Sequence, residues 1–228
     1  MINIAAILGG SAIGLLFGAR LSDQLKSTLI SGMGLFLVAM GLQMFLKTEN
    51  SLIVLGALIT GTLLGEWWRI EDGLHKLGIF LEQKFSSEED HGSNRFVRGF
   101  MTASLLFCIG PIAILGSIQD GLTGDFNLLV VKSVLDGFAS IAFASALGIG
   151  VAFSALLILV YQGGISLMAG QLNAIVTTSM MNELTATGGI LLIGIGISNL
   201  LEIKKIRVGN MLPSLLIAPL IVWVVSLF

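Results

Sequence analysis

Eight apolar runs dominate this sequence, and their lengths decide what it can fold into. About 20 apolar residues in a helix cross a hydrocarbon layer of about 30 Å, and each run is close to that length. With 55% of its residues hydrophobic and 11% charged, the chain has too much apolar surface for one water-soluble core. The sequence therefore predicts an all-α, polytopic membrane protein of about eight transmembrane helices. The runs lie at residues 3–20, 30–46, 51–68, 99–119, 128–148, 150–169, 187–203 and 211–228.

The basic residues are distributed unevenly between the loops that separate these runs. If the runs alternate in direction, only Lys47 and Lys132 fall on one side, and the rest of the 12 Lys and Arg residues fall on the other. Cytoplasmic loops carry the excess of Lys and Arg, so we expect both termini outside the cytoplasm. No basic residue precedes the first run, which therefore does not resemble a cleavable signal peptide. The charge pattern gives no support to a nucleic acid partner.

The long loop at residues 69–98 contains an amphipathic pattern. Ile70, Leu74, Leu77, Leu81 and Phe85 recur at helical spacing between charged residues, which predicts a helix on the inner membrane surface. A polar linker at residues 86–94 follows it. The helix serves either as a lid packed on the bundle or as a regulatory element, and the sequence leaves both open.

An internal repeat relates the two ends of the chain. Residues 34–47 align without a gap with residues 189–202, so that Gly34 matches Gly189 and Gly41 matches Gly196. The repeat predicts a three-helix unit at 1–68, a cytoplasmic loop at 69–98, a central helix pair at 99–149 and a second unit at 150–228. Five crossings separate matching helices, so the units would be inverted, as in many secondary transporters. Chance similarity between glycine-rich apolar segments is the alternative.

The many glycines of the apolar runs fit close helix packing. Such packing would also permit a homodimer, which the sequence does not require.

The fourth run is interrupted by Gly110 and Pro111. A proline there removes one backbone hydrogen bond, and freed backbone groups at membrane depth must be satisfied by protein or by a water-lined cavity. A broken helix would offer backbone carbonyl groups to a site near Asp136, whereas a simple kink would not. The sequence does not separate these two alternatives.

The fifth run carries two charges, Lys132 and Asp136, four residues apart on one helical face. With a rise of about 1.5 Å per residue from Leu128, Lys132 lies roughly 6 Å deep and Asp136 roughly 12 Å deep. Lys132 can extend its ammonium group to the surface, but Asp136 cannot. One interpretation is a structural ion pair; the other is that Asp136 binds a cation or proton, with Lys132 as counter-charge or as a contact for an anionic substrate.

Further polar residues accompany the later runs. Gln162 ends the sixth run, and Asn199 lies within the seventh. The stretch from 171 to 189 is too polar to span a membrane, which predicts an outer surface or re-entrant segment. Glu183, Thr185 and Thr187 within it are expected to cap the seventh helix.

No pattern of catalytic residues is found. The sequence has no His-Glu-x-x-His, Gly-x-Ser-x-Gly or phosphate-loop motif, and the single cysteine, Cys108, excludes an intrachain disulfide. We therefore predict neither an enzyme nor a bound cofactor or metal ion.

The blocks SLLFCIGPIAILGSIQDGL, VKSVLDGF, YQGG, ATGG and NMLPS resemble a bacterial family of uncharacterised polytopic membrane proteins, domain of unknown function 554. The resemblance implies a location in the bacterial inner (cytoplasmic) membrane and is compatible with transport. It also implies that Lys132, Asp136, Gly110 and Pro111 belong to a shared core.

Together these patterns predict a secondary transporter of a small solute or of a monovalent cation or proton. Its expected site comprises Asp136, Lys132, Gly110, Pro111, Gln162 and Asn199. An ion channel and a non-transporting membrane scaffold remain as alternatives.

Overall fold

The computed structural model describes residues 1–85, 95–174 and 176–227, and helices dominate these ranges. No β-strand occurs within them. A π-helical segment, Gly196–Leu200, continues α10, and a 3-10 turn, Val208–Met211, precedes α11. In chain order the α-helices are α1 (Ile2–Gly18), α2 (Asp23–Phe45), α3 (Ser51–Trp68), α4 (Ile70–Phe85), α5 (Arg95–Cys108), α6 (Pro111–Thr123), α7 (Asn127–Leu147), α8 (Gly150–Leu167), α9 (Ala169–Asn173), α10 (Thr178–Ile195) and α11 (Ser214–Val225).

The apolar runs form helices of membrane-spanning length. Within the described residues, six segments are long and apolar enough to cross a bilayer: α2, α3, α7, α8, α10 with its π-helical continuation, and α11 with its 3-10 turn. The bent pair of α5 and α6 makes a seventh when it is counted as one span. Helix α1 is apolar but has only 17 residues. The all-helical membrane architecture is confirmed, and the number of eight crossings stays a prediction.

The helices fall into two compact units, each assembled from separate parts of the chain. The first comprises Met1–Gly32, His75–Cys108 and Ile112–Asn173, and the second comprises Met33–Leu74, Ile109–Pro111 and Ala174–Phe228. The sequence-based division at 1–68, 69–98, 99–149 and 150–228 stays a prediction.

In the first unit, α1 and α7 pack closely and run in the same direction. A methyl group on Gly10 would collide with the carbonyl oxygen of Gly137, and one on Gly14 would collide with that of Ile141. The contact positions rise together along both helices, so the helices are parallel. Glycines on one face of α1 therefore allow the backbones to approach, as expected for small residues in membrane helices.

In the second unit, α2 and α10 cross through glycines and run in opposite directions. Gly41 packs against the carbonyl oxygen of Gly189, and Gly196 packs against that of Gly34. These four glycines are the ones matched by the repeat in the sequence. Each contact therefore joins one copy of the repeated segment to the other.

Helix α4 matches the predicted amphipathic helix. Leu81 on its apolar face is buried, whereas Lys76 on the opposite side of the helix is exposed. The predicted polar linker at 86–94 lies outside the described residues.

The fourth run is a broken helix rather than a kinked one. Helix α5 ends at Cys108 and α6 begins at Pro111, with a bend of 64° between them. Gly110 has a φ of +140°, a conformation that glycine adopts readily and other residues rarely do. Pro111 is the first residue of α6, where its missing N–H breaks no helical hydrogen bond.

The expectation that Glu183, Thr185 and Thr187 cap the seventh helix was wrong. Helix α10 begins at Thr178, and the Thr177 side chain caps it by accepting a hydrogen bond from the Met180 N–H. The three predicted caps instead lie inside the helix, where each polar group has a partner. The partners of Glu183 are in the loop between α2 and α3. The hydroxyl groups of Thr185 and Thr187 donate to carbonyl oxygens one turn earlier.

Candidate functional site

Four buried polar side chains meet inside the first unit. The Lys132 Nζ atom donates to Asp136 Oδ2 at 2.7 Å, and Asn3 Nδ2 donates to the same oxygen at 2.9 Å. Asn3 Nδ2 also lies 3.3 Å from Gln162 Oε1. Lys132 and Asp136 are only 6% and 7% exposed, and Asn3 and Gln162 are buried as well. We call these four residues the polar cluster.

Three helices bring the polar cluster together. Lys132 and Asp136 share one face of α7 because they are four residues apart. Asn3 lies in the first turn of α1, which runs parallel to α7 along the glycine contacts. Helix α8 reverses direction after Gly148, whose φ is +85°. Asp136 precedes the end of α7 by about three turns, and Gln162 follows the start of α8 by about three turns, so the reversal brings them to the same level.

The polar cluster leaves hydrogen-bonding capacity unused. Asn3 Oδ1 is a buried acceptor and Gln162 Nε2 a buried donor, and neither has a partner among the described residues. Asp136 receives both of its hydrogen bonds on Oδ2. Leaving a buried polar group unpaired costs about 1–3 kcal/mol. The cluster thus offers an oxygen and an amide N–H group to a further ligand.

Unpartnered hydroxyl groups lie close to the polar cluster along the same helices. Ser140 is one turn beyond Asp136 on the same face of α7, and Ser11 follows Gly10 on α1, which packs against α7 at Gly137. Both serines are fully buried, and neither hydroxyl has a partner in the described part of the chain. Beyond the polar cluster, α1 and α7 thus each carry a further buried oxygen atom without a partner among the described residues.

A cavity of about 480 Å³ lies at the other end of the same helix pair. Gly18 of α1 and Ser145 of α7 line it, together with the basic residues Lys26 and Arg95. Gly18 packs against Ser145 two turns beyond the contact between Gly10 and Gly137. The cavity and the polar cluster therefore occupy opposite ends of the α1–α7 pair.

A second buried carboxylate, in the second unit, has a different environment. Glu183 is 1% exposed, and its carboxylate accepts hydrogen bonds from the Thr48 hydroxyl at 2.7 Å, the Glu49 N–H at 2.7 Å and the Asn50 N–H at 2.9 Å. Both of its oxygens are therefore paired. Glu183 ties the loop between α2 and α3 to α10, which is a structural role.

The structure brings together three of the six predicted site residues, namely Asp136, Lys132 and Gln162. Asn199 lies in the π-helical segment of the second unit, and Gly110 and Pro111 are grouped with that unit too. A role for these three in the site stays a prediction.

Asn3 was missed by sequence reasoning. It is the first polar residue of the chain and stands at the boundary of the first apolar run, where polar residues are expected. The available signal was an amide side chain near the start of a glycine-rich helix whose remaining residues are apolar except for Ser11. Only the parallel packing of α1 and α7 gives that amide a partner.

No group of three or more His, Cys, Asp and Glu side chains in the described ranges has a geometry that could hold a metal ion. The polar cluster contains a single carboxylate and two amides. Such a set favours a proton, a monovalent cation or a small polar solute over a transition metal, which prefers nitrogen and sulfur ligands.

The comparisons with known proteins agree with the helical membrane architecture. Residues 1–223 match a family described as protein of unknown function, DUF554. The chain is 36% identical over 230 residues to the uncharacterized membrane protein YdfK of Bacillus subtilis (strain 168). This alignment covers 99% of this chain and 96% of YdfK. It is 32% identical over 218 residues to the uncharacterized protein YqgA of Escherichia coli (strain K12), covering 95% of this chain and 92% of YqgA.

No solved structure matches the chain. The family match extends over nearly the whole sequence and includes every residue of the polar cluster. This membrane protein therefore belongs to the DUF554 family.

Proposed function

We propose that this protein is a secondary transporter of a small solute or ion in the bacterial inner membrane, with both termini outside the cytoplasm. The polar cluster is its binding site, and Asp136 takes the coupling proton or monovalent cation. Lys132 holds the carboxylate in the absence of that ion. The proposal assigns no catalytic activity to the chain.

The observation that carries this proposal is that two amide side chains beside a buried ion pair each keep an atom without a hydrogen-bond partner. Buried ion pairs are weak evidence of stabilisation because desolvation offsets their attraction. A buried charged group kept only for structure is expected to be fully hydrogen-bonded, as the Glu183 carboxylate is. The polar cluster instead keeps the unpaired groups Asn3 Oδ1 and Gln162 Nε2 buried. Intramembrane ionisable residues of this kind mark ion and substrate pathways.

The helix directions support a site in the outer half of the membrane. Asn3 lies at the start of α1, and Lys132 and Asp136 lie in the first half of α7, which is parallel to it. With the termini outside, these positions belong to the outer half of the bilayer. The cavity near Gly18 and Ser145 then belongs to the cytoplasmic half, so that one helix pair carries polar features facing each side.

The glycine crossing supports the inverted repeat. Under the alignment of residues 34–47 with 189–202, the contact between Gly34 and Gly196 is equivalent to the contact between Gly189 and Gly41. Exchanging the two copies therefore exchanges one observed contact for the other. This is the arrangement that a pseudo-two-fold axis between inverted repeats produces, and secondary transporters are commonly built in this way.

Two other functions are separated from this one by experiment. An ion channel would use the polar cluster as part of a continuous pore and would show single-channel conductance in planar bilayers. A non-transporting scaffold would depend on the cytoplasmic loop, so deleting residues 86–94 would abolish its function whereas Asp136→Asn would not.

The test is ion flux in liposomes that contain the purified protein. Proton and sodium movements are followed with fluorescent indicators after an ion gradient is imposed, and candidate solutes are added to look for coupled movement. We expect flux with the wild type and none with Asp136→Asn. Asn182→Ala, which alters a half-buried side chain bound to Glu49 and remote in sequence from the polar cluster, is the control and retains flux. Equal flux in wild type and Asp136→Asn would refute the proposed site.

A further inference from the structure

We propose that the Lys132 ammonium group occupies the position of a monovalent cation at Asp136, and that the cation binds by displacing it. This inference rests on the proposed function, because it concerns the same site. It names the class of the coupling ligand and the event that admits it. Lys132 thus acts as a tethered competitor of the ion.

The first argument is the position of the ammonium group. Lys132 Nζ lies 2.7 Å from Asp136 Oδ2, in direct contact with the negatively charged oxygen. A cation that approached the same oxygen while Lys132 remained there would be repelled by a positive charge in a medium of low dielectric constant. Cation binding at Asp136 therefore requires Lys132 to leave.

The second argument is the set of oxygens that remain when Lys132 leaves. The Asp136 carboxylate, the unpaired Asn3 Oδ1 atom and the unpaired Ser140 hydroxyl lie on neighbouring faces of α1 and α7. Carboxylate, carbonyl and hydroxyl oxygens are the ligands that hard cations prefer. One carboxylate balances one positive charge, so the set suits a monovalent rather than a divalent ion.

The third argument is that the Lys132 ammonium group can reach the membrane interface when it leaves Asp136. Lys132 lies one turn closer than Asp136 to the N-terminal end of α7, and its flexible stem can carry the ammonium group towards the interface. The side chains of Lys132 and Asp136 keep 8% and 10% exposure, so the pair is not fully sealed. Val131, the residue before Lys132, is 53% exposed. A change of rotamer at Lys132, without movement of a helix, vacates the oxygen.

A tethered competitor lowers the apparent affinity for the free ion. The apparent dissociation constant equals the intrinsic constant divided by the fraction of molecules in which the site is vacant. If Lys132 leaves Asp136 in about one molecule in a hundred, removing the ammonium group tightens apparent binding about 100-fold. Binding also moves one positive charge outward for each ion that enters, so the site keeps its net charge.

The experiment measures the concentration of sodium, lithium or potassium chloride that half-maximally raises the thermal unfolding temperature of the purified protein. Choline chloride keeps the ionic strength constant. Lys132→Met is expected to lower this concentration by about 10- to 100-fold, whereas Asp136→Asn should abolish the response. Lys47→Met, which removes an exposed ammonium group, is the matched control and should behave as the wild type.

Two further variants keep the test decisive if Lys132→Met does not fold. Lys132→Gln keeps a donor for Asp136 and replaces Lys132→Met if the latter is not recovered folded. Asn3→Leu, combined with Lys132→Gln, should weaken the response because it removes the Asn3 Oδ1 ligand.

An unchanged half-maximal concentration in both Lys132 variants, or a response that persists in Asp136→Asn, would overturn this inference. Such a result combined with Asp136-dependent flux would leave the transport proposal standing. The expected affinity changes without any flux in liposomes would support the cation site and refute transport.

Discussion

The crossing of α2 and α10 makes a sharp prediction about single methyl groups. A Cβ atom on Gly41 would lie 2.5 Å from the carbonyl oxygen of Gly189, whereas ordinary contacts are at 3.4–4 Å. Gly41→Ala therefore has to separate the two helices by roughly one ångström at the point where they are closest. Gly32, on the same helix, has nothing within 4 Å of its Cβ position and provides the matched control.

The magnitude follows from two opposing contributions. Overpacking of this kind costs about 1–3 kcal/mol, and the higher helix propensity of alanine returns about 0.8–1 kcal/mol. We expect Gly41→Ala to lower the free energy of unfolding by up to about 2 kcal/mol. Gly32→Ala receives only the propensity gain, so it should stabilise the protein by up to about 1 kcal/mol. The same substitution on one helix thus has opposite signs.

The assay is thermal unfolding of the purified protein in detergent, followed by circular dichroism. A destabilisation of 1 kcal/mol lowers the unfolding temperature by about 2–4 °C in a chain of this length. Gly189→Ala should resemble Gly41→Ala, and the double variant should cost less than the sum, because either methyl group alone already separates the helices. If Gly41→Ala stabilises the protein as much as Gly32→Ala does, the close packing of α2 on α10 is refuted.

Three further predictions concern single positions, each measured by unfolding. Gly110→Ala should cost about 1–3 kcal/mol through backbone strain at a φ of +140°, although the Cβ position itself is in open space. Glu183→Gln should cost about 1–3 kcal/mol, because an N–H group would replace an accepting oxygen, whereas Asn182→Ala, at a half-buried neighbouring position, should cost less. Burial raises the pKa of Glu71 above its ordinary value of 4.5, although the Gly209 N–H and then the Arg207 guanidinium lower it. The protonated form therefore favours the fold: stability present below pH 4.5 is lost as the pH rises through the folded-state pKa. Glu71→Gln should remove this loss, and a pH profile parallel to that of the wild type would contradict the argument.

Local patterns predicted much of the fold. Apolar length predicted the membrane helices, the spacing of Leu81 and its neighbours predicted α4, and Gly110 with Pro111 predicted an interruption. These features depend on residues that are close in sequence. The start of α10 at Thr178 was not predicted, because the polarity of residues 171–189 was taken as exclusion from the membrane, whereas Thr178–Leu200 is long and apolar enough to cross it. Glu183 is buried there because distant loop N–H groups bind its carboxylate.

The candidate site was predictable only in part for a related reason. Lys132 and Asp136 are conspicuous because charges are costly at membrane depth, and Gln162 is conspicuous as an amide at the end of an apolar run. Asn3 has no such signal, since polar residues are ordinary at helix ends. Its role depends on the parallel packing of α1 and α7, which is set by Gly10 and Gly14 and cannot be read from neighbouring residues.

Two of the buried carboxylates, Asp136 and Glu183, differ in how fully they are paired. Asp136 accepts hydrogen bonds from two helices, α1 and α7, whereas the donors to Glu183 lie in the one loop between α2 and α3. Glu183 receives three hydrogen bonds on two oxygens from a loop that it thereby fixes, so no capacity remains for a ligand. Asp136 receives both of its hydrogen bonds on one oxygen. Beside it, the Asn3 Oδ1 and Gln162 Nε2 atoms have no partner among the described residues.

Unpaired groups are costly in a bilayer, where water is absent and cannot satisfy them. Closing the polar cluster would take little: an apolar residue at position 3 and another at 162 would remove both unpaired groups and leave Lys132 paired with Asp136. Under the proposed function these atoms have a use: a cation that replaced the Lys132 ammonium group at Asp136 would give Asn3 Oδ1 a partner.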